Sequence, residues 1–240
     1  DSGSYLTRTP AIAGNRRTFT ISGWIKRDNT GSGYYNYIFG AGDGYSSGWF
    51  DGGLFISTDN LRFGLSNSAR NGTECSLTSN ALLRETSSWY HLVAAVDTTL
   101  QTASERVKLY INGKRVTSFS SATYPSQNFE CVNINNSGNF HRVGAESWSG
   151  GYNKSSGLLA DVYFVDGQAL TPDRFGYFDS TYGDWRPRAY GNDGDGTPQA
   201  NYGPNGFRLT FNSGSARIDQ SGMGNHFSVV NFSESTDVVL

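Results

Sequence analysis

The pattern of hydrophobic and polar positions from Trp89 to Val116 predicts three consecutive β-strands. Segment 89–97 (WYHLVAAVD) is apolar on both alternating sets of positions. This is typical of a strand in the middle of a sheet with another layer packed over it. Residues 105–111 alternate between polar and apolar side chains, as in a strand with one face in water. Asn112-Gly113 favours a tight hairpin turn, and 114–119 returns, which indicates an antiparallel meander.

Short apolar or alternating segments, separated by Gly, Asn and Asp turns, recur along the rest of the chain. Further strands are predicted at 18–27, 36–40, 53–58, 60–66, 71–78, 140–145, 157–165, 206–212 and 226–232. Thr171-Pro172, a capping residue followed by proline, predicts a single helical turn, and 120–138 and 177–197 are expected to be loops. Trp24 is expected either to cap the edge of the core or to stand on an exposed face. The fold class is therefore predicted as all-β, a two-sheet antiparallel sandwich with at most a single short helical turn.

Length and charge limit the possible domain organisation and the possible classes of binding partner. A chain of 240 residues fits one large β domain, predicted as 1–240, with 177–240 as a C-terminal extension that closes the sandwich. Lys and Arg number 19 against 21 Asp and Glu, so no basic surface for nucleic acid is expected. No apolar run approaches the roughly 20 residues of a membrane span, so membrane insertion is not expected. The chain begins at Asp1, and we expect a processed form or a piece of a longer polypeptide.

Several motifs resemble one superfamily. The segments WYHLVAAVD, RVKLYINGKRV and GLLADVYFVDGQALTPDRF, with the opening YLTRTP and TFTISGWIKR, resemble laminin G-like and pentraxin-like domains of the concanavalin A-like lectin/glucanase superfamily. FVDGQALTP, FGYFD, NYGPNGFRLTF and DQSGMGNHF resemble domains of bacteriophage tail-fibre and other virion proteins. The resemblance implies a jelly-roll sandwich and a binding or structural module. It also implies that glycans or proteins bind at rim loops, often with the help of Ca²⁺.

Two loops rich in glycine and aromatic residues are candidate ligand-binding sites. Sugar rings stack on aromatic faces and hydrogen-bond to carboxylates and amides around them. The candidate ligand-binding residues are Asp43, Tyr45, Trp49, Asp51, Trp148 and Tyr152. The alternative is that these aromatics pack the ends of the sandwich or contact another subunit. Asp193 and Asp195 could supply oxygen ligands to Ca²⁺, but the segment lacks the other positions of a calcium loop, and a plain turn is the alternative.

No catalytic residue is expected. Residues 44–48 match the G-x-S-x-G pattern, but no helix is predicted after Ser46, and a nucleophile elbow needs one. The six glutamates are isolated and do not form the Glu-x-Asp-x-x-Glu run of the superfamily's glucanases. Two carboxylates on different strands could still cleave a glycoside, so hydrolysis stays an alternative. The three histidines, His91, His141 and His226, are interpreted as packed in strands of the sandwich, and Cys75 and Cys131 as one disulfide or two free thiols.

The resulting expectation is a non-enzymatic domain of a phage virion, from a tail fibre or another appendage, that binds host-surface carbohydrate through rim loops. Other virion subunits are expected partners, and a homo-oligomer is expected. The first alternative is a purely structural decoration protein whose aromatics contact neighbouring subunits. A glycan-cleaving enzyme and a secreted adhesion module are further alternatives. Glycosylation of the sequons at Asn71, Asn135, Asn153 and Asn231 would favour the last of these.

Overall fold

The strands fall where short apolar segments alternate with turn residues. A computed structural model describes residues 4–44, 52–147, 153–191, 201–212 and 214–231. The strands in these residues are β1 (Tyr5–Arg8), β2 (Thr18–Lys26), β3 (Tyr35–Gly42), β4 (Gly52–Ser57), β5 (Asn60–Ser66), β6 (Thr73–Leu82), β7 (Tyr90–Asp97), β8 (Val107–Ile111), β9 (Lys114–Arg115), β10 (Phe119–Thr123), β11 (Phe140–Val143), β12 (Leu158–Asp166), β13 (Gly176–Asp179), β14 (Asp184–Pro187), β15 (Phe207–Leu209) and β16 (Ser228–Val230).

The strands form two large antiparallel sheets and one separate hairpin. Sheet A has the order β10-β6-β5-β4-β3-β11-β1-β16, and sheet B has the order β15-β12-β2-β7-β8-β9. The β13–β14 hairpin forms a two-stranded sheet of its own. The predicted all-β, two-sheet antiparallel sandwich is confirmed. The helical turn at Pro172–Arg174 is a 3-10 turn, and a second one, Ala103–Glu105, precedes β8. No helix in the described ranges is long and apolar enough to cross a bilayer.

The middle of sheet B is buried on both faces. In β7, Leu92, Ala94 and Val96 lie in the main core between the sheets. Val93 and Ala95 face the other way, into a second apolar cluster. That cluster is completed by Tyr110, Tyr163, Val165, Leu170, Phe175, Tyr190 and Tyr202. The segment that follows β12 in the chain forms a layer over the outer face of sheet B. This layer explains why β7 is apolar on both faces, as the sequence predicts.

Three predictions about the strands are corrected. The strand expected at 114–119 is split: β9 ends at Arg115, and β10 pairs with β6 in sheet A. The chain therefore changes sheets here, a step that the local pattern does not encode. β1, in an opening segment where no strand is predicted, pairs with β11 and β16. Part of 177–197, expected to be loop, forms β13 and β14.

The main core is built around Phe164 of β12. Its ring stacks with Phe19 at 5.7 Å, Phe39 at 5.6 Å and Phe207 at 6.0 Å between centroids. These four residues come from four different strands, and all are fully buried. Each buried phenylalanine contributes about 1.5–3 kcal/mol by leaving water. The cluster therefore holds the two sheets together.

Asp59 organises a buried ion pair at the turn between β4 and β5. Its carboxylate contacts Arg27 Nη1 at 3.0 Å and Arg84 Nε at 2.9 Å, and accepts the Gly31 N–H at 2.7 Å. The Arg27 side chain is 0% exposed. Arg27 Nε also donates to Asn36 Oδ1 at 2.8 Å. A buried guanidinium is tolerated only where a counter-charge and hydrogen bonds replace its hydration, and Asp59 provides that counter-charge.

Candidate functional site

An open groove of about 760 Å³ lies between the β13–β14 hairpin and the outer face of sheet B. Its size is in the range of about 300–1,000 Å³ that is usual for small-molecule sites. The lining combines aromatic rings with amide, carboxylate and cationic groups. The lining residues are Trp24, Ser88, Trp89, Asn112, Lys114, Ala160, Asp161, Phe178, Gly183, Asp184, Trp185, Arg186 and Pro187.

Sheet B positions the base of the groove. Trp24 of β2 lies between Ala160 of β12 and His91 of β7 in the strand register. Cross-strand partners point to the same face of a sheet, and the rings of Trp24 and His91 stack at 4.8 Å between centroids, 25° from parallel. Asp161 has a φ of +43°, at an irregularity where β12 changes its register with β2. The two strands thus present an indole and a carboxylate at the groove.

Trp185 fixes the hairpin to sheet B. Its indole Nε1–H donates to His91 Nδ1 at 3.0 Å, and the two rings lie 6.1 Å apart and 21° from parallel. Glycines make room for the indole. A Cβ on Gly113 would lie 2.5 Å from the Trp185 ring, and one on Gly176 would lie 2.6 Å from it. The hairpin can therefore seat its indole here only because both positions lack a side chain.

His91 is a positioning group in the wall of the site. An indole N–H can only donate, so His91 Nδ1 is the acceptor of the bond from Trp185 and the ring proton is on Nε2. The Nε2–H group donates a hydrogen bond to Ser22 Oγ at 2.8 Å. Burial lowers the pKa of His91 to about 3, so the ring is neutral at physiological pH. Both ring nitrogens are engaged, which agrees with the interpretation of His91 as a packed sandwich histidine.

The other two histidines differ from each other. His141 is fully buried, and its Nε2 accepts the Asn135 N–H at 3.0 Å. Burial, assisted by the positive charge of Arg8, lowers its pKa to about 3. His226 is exposed and lies before β16, in a loop where its Nδ1 accepts the Asp219 N–H at 3.1 Å. The strand placement expected for His226 is therefore wrong.

The two carboxylates of the groove are already partnered. Asp184 accepts a hydrogen bond from Arg186 Nε at 2.9 Å. Asp161 accepts hydrogen bonds from Arg208 Nη2 at 3.2 Å and from the Tyr163 hydroxyl at 3.3 Å. Each aspartate thus faces an arginine, which offsets its charge.

Three nitrogen groups of the groove are uncommitted within the described residues. Trp24 is only 7% exposed, yet its Nε1 has no hydrogen-bond partner. Asn112 Oδ1 accepts the His91 backbone N–H at 2.7 Å, and this bond leaves Asn112 Nδ2 as a free donor. Lys114 forms no ion pair in the part of the chain that the structure describes.

The loop residues predicted from the sequence lie mostly outside the described residues. This holds for Tyr45, Trp49, Asp51, Trp148 and Tyr152, and for the calcium candidates Asp193 and Asp195. Their roles stay predictions.

The structure does place Asp43 and the stem of the second loop. The Asp43 carboxylate pairs with Arg70. In the second loop, Glu146 Oε2 accepts a hydrogen bond from Asn153 Nδ2 at 2.6 Å. That stem lies beside β3, where Ser155 Oγ donates to Tyr37 O at 2.8 Å. Both loops are therefore attached to β3, the first at its end and the second along its length.

The groove is not predicted from the sequence because its lining residues come from distant segments, which no local pattern relates. Trp24 and Trp89 stand on predicted strands, but Trp185 and Phe178 lie in a segment expected to be loop. The available signal was two short segments with aromatic residues, GYFD and DWRP, separated by four residues that end in a glycine. The pairing of Trp185 with His91 spans 94 positions of sequence, and such separations are not readable from a local pattern.

Groups that could hold a metal ion are not clustered here: within the described ranges no three His, Cys, Asp or Glu side chains are placed to do so. Cys75 and Cys131 are buried free thiols, and burial raises the pKa of both. Asn135 is fully buried and donates to Asp166 Oδ1 at 2.7 Å, so this sequon is inaccessible in the folded protein.

Trp185→Phe tests the anchor. The variant keeps an aromatic ring but leaves His91 Nδ1 as a buried acceptor without a donor, and we expect a loss of about 1–3 kcal/mol in the free energy of unfolding. Urea unfolding measures it, and hydrogen exchange should show faster exchange of the hairpin amides. Trp89→Phe is the control, with a smaller loss. Equal losses in the two variants would show that the indole–imidazole bond does not hold the hairpin.

One protein family and several solved structures are similar to this chain. A family model described as concanavalin A-like lectin/glucanases superfamily, Laminin_G_3, matches residues 1–174. No curated protein matches the chain. Among solved structures, a "putative carbohydrate binding protein" from Bacteroides ovatus is similar with a TM-score of 0.56 at 14% identity, over 95% of this chain and 57% of the other.

Two other solved structures are more distant in shape. The native heptameric SAP-like pentraxin of Limulus polyphemus has a TM-score of 0.47 at 20% identity, over 71% of this chain and 72% of the other. The CBM40 of the Ruminococcus gnavus IT-sialidase, bound to α2,3-sialyllactose, has a TM-score of 0.45 at 14% identity, over 68% and 81%. Identities this low show the fold alone. On the match of the family model, the chain belongs to the Laminin_G_3 family of the concanavalin A-like lectin/glucanases superfamily.

Proposed function

We propose that this protein is a non-catalytic carbohydrate-binding module and that the groove under the β13–β14 hairpin receives the saccharide. The carrying observation is the lining of that groove, in which Trp24, Trp89 and Phe178 stand beside amide and carboxylate groups. Pyranose rings present an apolar face and a hydroxyl-rich edge. A site for them needs aromatic surface with polar groups at its border.

The exposure of the aromatic residues supports this proposal. Phe178 is 62% exposed, although its cross-strand partner Trp185 is packed on sheet B. An exposed phenylalanine held by a rigid neighbour offers stacking surface at little cost in entropy. Trp89, the residue before β7, is half-buried and also lines the groove. A ligand between these residues would cover both rings.

Phe178→Ala and Trp89→Ala test the proposal. We expect each variant to weaken binding of a glycan identified on an array by at least about tenfold, the loss produced by about 1.4 kcal/mol of stacking and burial. Titration calorimetry of the wild type and the variants with that glycan measures it. Tyr182→Ala is the matched control, since Tyr182 is a 71% exposed aromatic of the same hairpin that does not line the groove.

The rim loops provide the competing location. Trp49→Ala and Trp148→Ala remove the two tryptophans of the predicted rim loops. Loss of binding in these variants, with full binding in Phe178→Ala and Trp89→Ala, would move the site to the rim. A screen with and without Ca²⁺ also tests the expected contribution of Asp193 and Asp195. A Ca²⁺ requirement would support the rim, because no metal cluster lies in the described part of the groove.

The biological setting is part of the proposal. We place the domain in a phage virion, in a tail fibre or another appendage, with a host-surface glycan as target and other virion subunits as neighbours in a homo-oligomer. The support is the resemblance of NYGPNGFRLTF and DQSGMGNHF to virion proteins. An absence of catalysis is proposed as well. Incubation of the bound glycan with the protein, followed by mass spectrometry, should return the glycan intact.

A purely structural role is the second candidate, and one surface favours it. The hairpin exposes Tyr177 and Tyr182, with Arg188 over the first ring at 5.3 Å and Arg186 over the second at 4.2 Å. Tyrosine and arginine are enriched at the energetic centres of protein interfaces. In this alternative the hairpin is buried between subunits and the glycan screen is negative for a folded, oligomeric protein.

A further inference from the structure

We propose that the saccharide taken by the groove is anionic, with a carboxylate or a sulfate ester held by Lys114 and Asn112. This inference rests on the proposed carbohydrate-binding function and specifies its ligand class. It follows from which polar groups of the groove already have hydrogen-bond or ion-pair partners and which do not.

Lys114 is the one charged residue of the lining that has no ion-pair partner among the described residues. Arg186 pairs with Asp184 at 2.9 Å and with Asp179 at 3.3 Å, and Asp161 pairs with Arg208 at 3.2 Å. Lys114, which lines the same groove and is exposed, has no such partner within the described residues. A cation without a counter-charge at a partly enclosed site attracts an anion more strongly than one in open solvent.

The hydrogen-bonding groups of the lining also favour an anionic ligand. Because Asn112 Oδ1 is committed to the His91 N–H, its amide can offer only the two protons of Nδ2 to a ligand. The uncommitted nitrogen groups of the lining residues Asn112, on the β8–β9 turn, and Lys114, on β9, are therefore both donors. A cluster of donors matches an oxygen anion, which accepts several hydrogen bonds.

The turn that carries Asn112 is packed against the hairpin. Asn112 and Gly113 have φ values of +47° and +78°, and Gly113 packs against the indole of Trp185. The Asn112 amide is thus oriented by a backbone hydrogen bond on one side and a packed turn on the other. Donors held in place before binding lose little freedom on contact with an anion.

The test is an array of matched glycan pairs. Hyaluronan oligosaccharides are compared with their carboxyl-reduced forms, oligogalacturonates with their methyl esters, sialylated glycans with the desialylated ones, and sulfated chondroitin with chondroitin. We expect the wild type to prefer anionic members by roughly tenfold or more, the ratio usual for a charge-assisted hydrogen bond. The carboxylate and sulfate arms separate the two anions.

Two variants assign the preference to the proposed residues. Lys114→Gln removes the cation at an exposed position. Asn112→Asp keeps the oxygen that accepts the His91 N–H but replaces the donor Nδ2 with an acceptor. Each should bring the anionic-to-neutral ratio down by about tenfold, whereas Lys154→Gln, over the ring of Tyr5 and away from the groove, should not change it.

The outcomes are distinct for the two proposals. Equal binding of the paired glycans by the wild type would overturn the anionic ligand class, and an anionic preference that Lys114→Gln leaves intact would overturn the role given to Lys114. Both results would leave carbohydrate binding in place. A folded wild-type protein that binds no member of any pair would overturn carbohydrate binding itself. Because Lys114 is exposed, its variant tests the inference even if Asn112→Asp fails to fold.

Discussion

Asp59→Ala should destabilise the protein by about 3–5 kcal/mol, the usual cost of leaving one charge of a buried ion pair without its partner. Arg27 is fully buried and receives its counter-charge from Asp59 at 3.0 Å. Without the carboxylate the guanidinium stays in the interior, with Asn36 Oδ1 and Leu83 O as its acceptors among the described residues. Urea unfolding near neutral pH measures the loss, because the midpoint and the slope together give the free energy.

The same carboxylate offers a matched control. Arg84 contacts Asp59 at 2.9 Å, but its side chain is 65% exposed, so Arg84→Ala should cost only about 0–1 kcal/mol. The double variant Arg27→Met/Asp59→Ala should lose less than the sum of the two single losses, since no charge stays buried alone. Additive losses, or equal losses in Asp59→Ala and Arg84→Ala, would contradict the role given to the buried pair.

Mild acid should destabilise the fold steeply through two buried histidines. His91 and His141 have a pKa of about 3 in the folded protein, against about 6.5 in an unfolded chain. The folded state excludes the proton, so the stabilising contribution is fully present above about pH 6.5 and declines as the pH falls towards 3. Each histidine costs about 1.4 kcal/mol per pH unit in that window. At pH 4.5 the two together remove about 5 kcal/mol, comparable to the whole stability of many domains.

The free energy of unfolding measured at half-unit steps from pH 7.5 to 4.5 tests this. His91→Gln and His141→Gln should each reduce the slope by about 1.4 kcal/mol per pH unit, whatever each costs at pH 7.5. Asp59 affects the free energy of unfolding at lower pH than the two histidines do. Burial alone would raise its pKa, but hydrogen bonds from Gly31, Arg84 and Arg27 hold that pKa below its usual value. Its contribution is present above about pH 4 and lost below. A flat profile between pH 6.5 and 5 would refute the histidine account.

The sandwich is predictable from sequence because its strands carry the signal locally. β2, β7 and β12 alternate or run apolar over eight or nine residues, and the Asn112-Gly113 turn has the positive φ values that its residues favour. The continuous apolar pattern of β7 also predicts a layer over sheet B, and the second apolar cluster provides it.

The groove is not predictable in the same way because its parts come from distant segments. The hairpin lies over sheet B through Trp185 and His91, which no periodicity relates. The polarity of SSWYH or DWRP also does not show which donors will be left without partners. Only the hydrogen bonds of the folded chain, such as that from His91 N to Asn112 Oδ1, decide which atoms face a ligand.

The most direct test of the central claim is a crystal structure of the domain in complex with the tightest-binding array glycan. We predict electron density for a sugar ring in the groove, in contact with Trp89 and Phe178, with its charged group within hydrogen-bonding distance of Lys114 Nζ and Asn112 Nδ2. Density at the loops of Trp49 and Trp148, with an empty groove, would contradict the account and return the site to the rim.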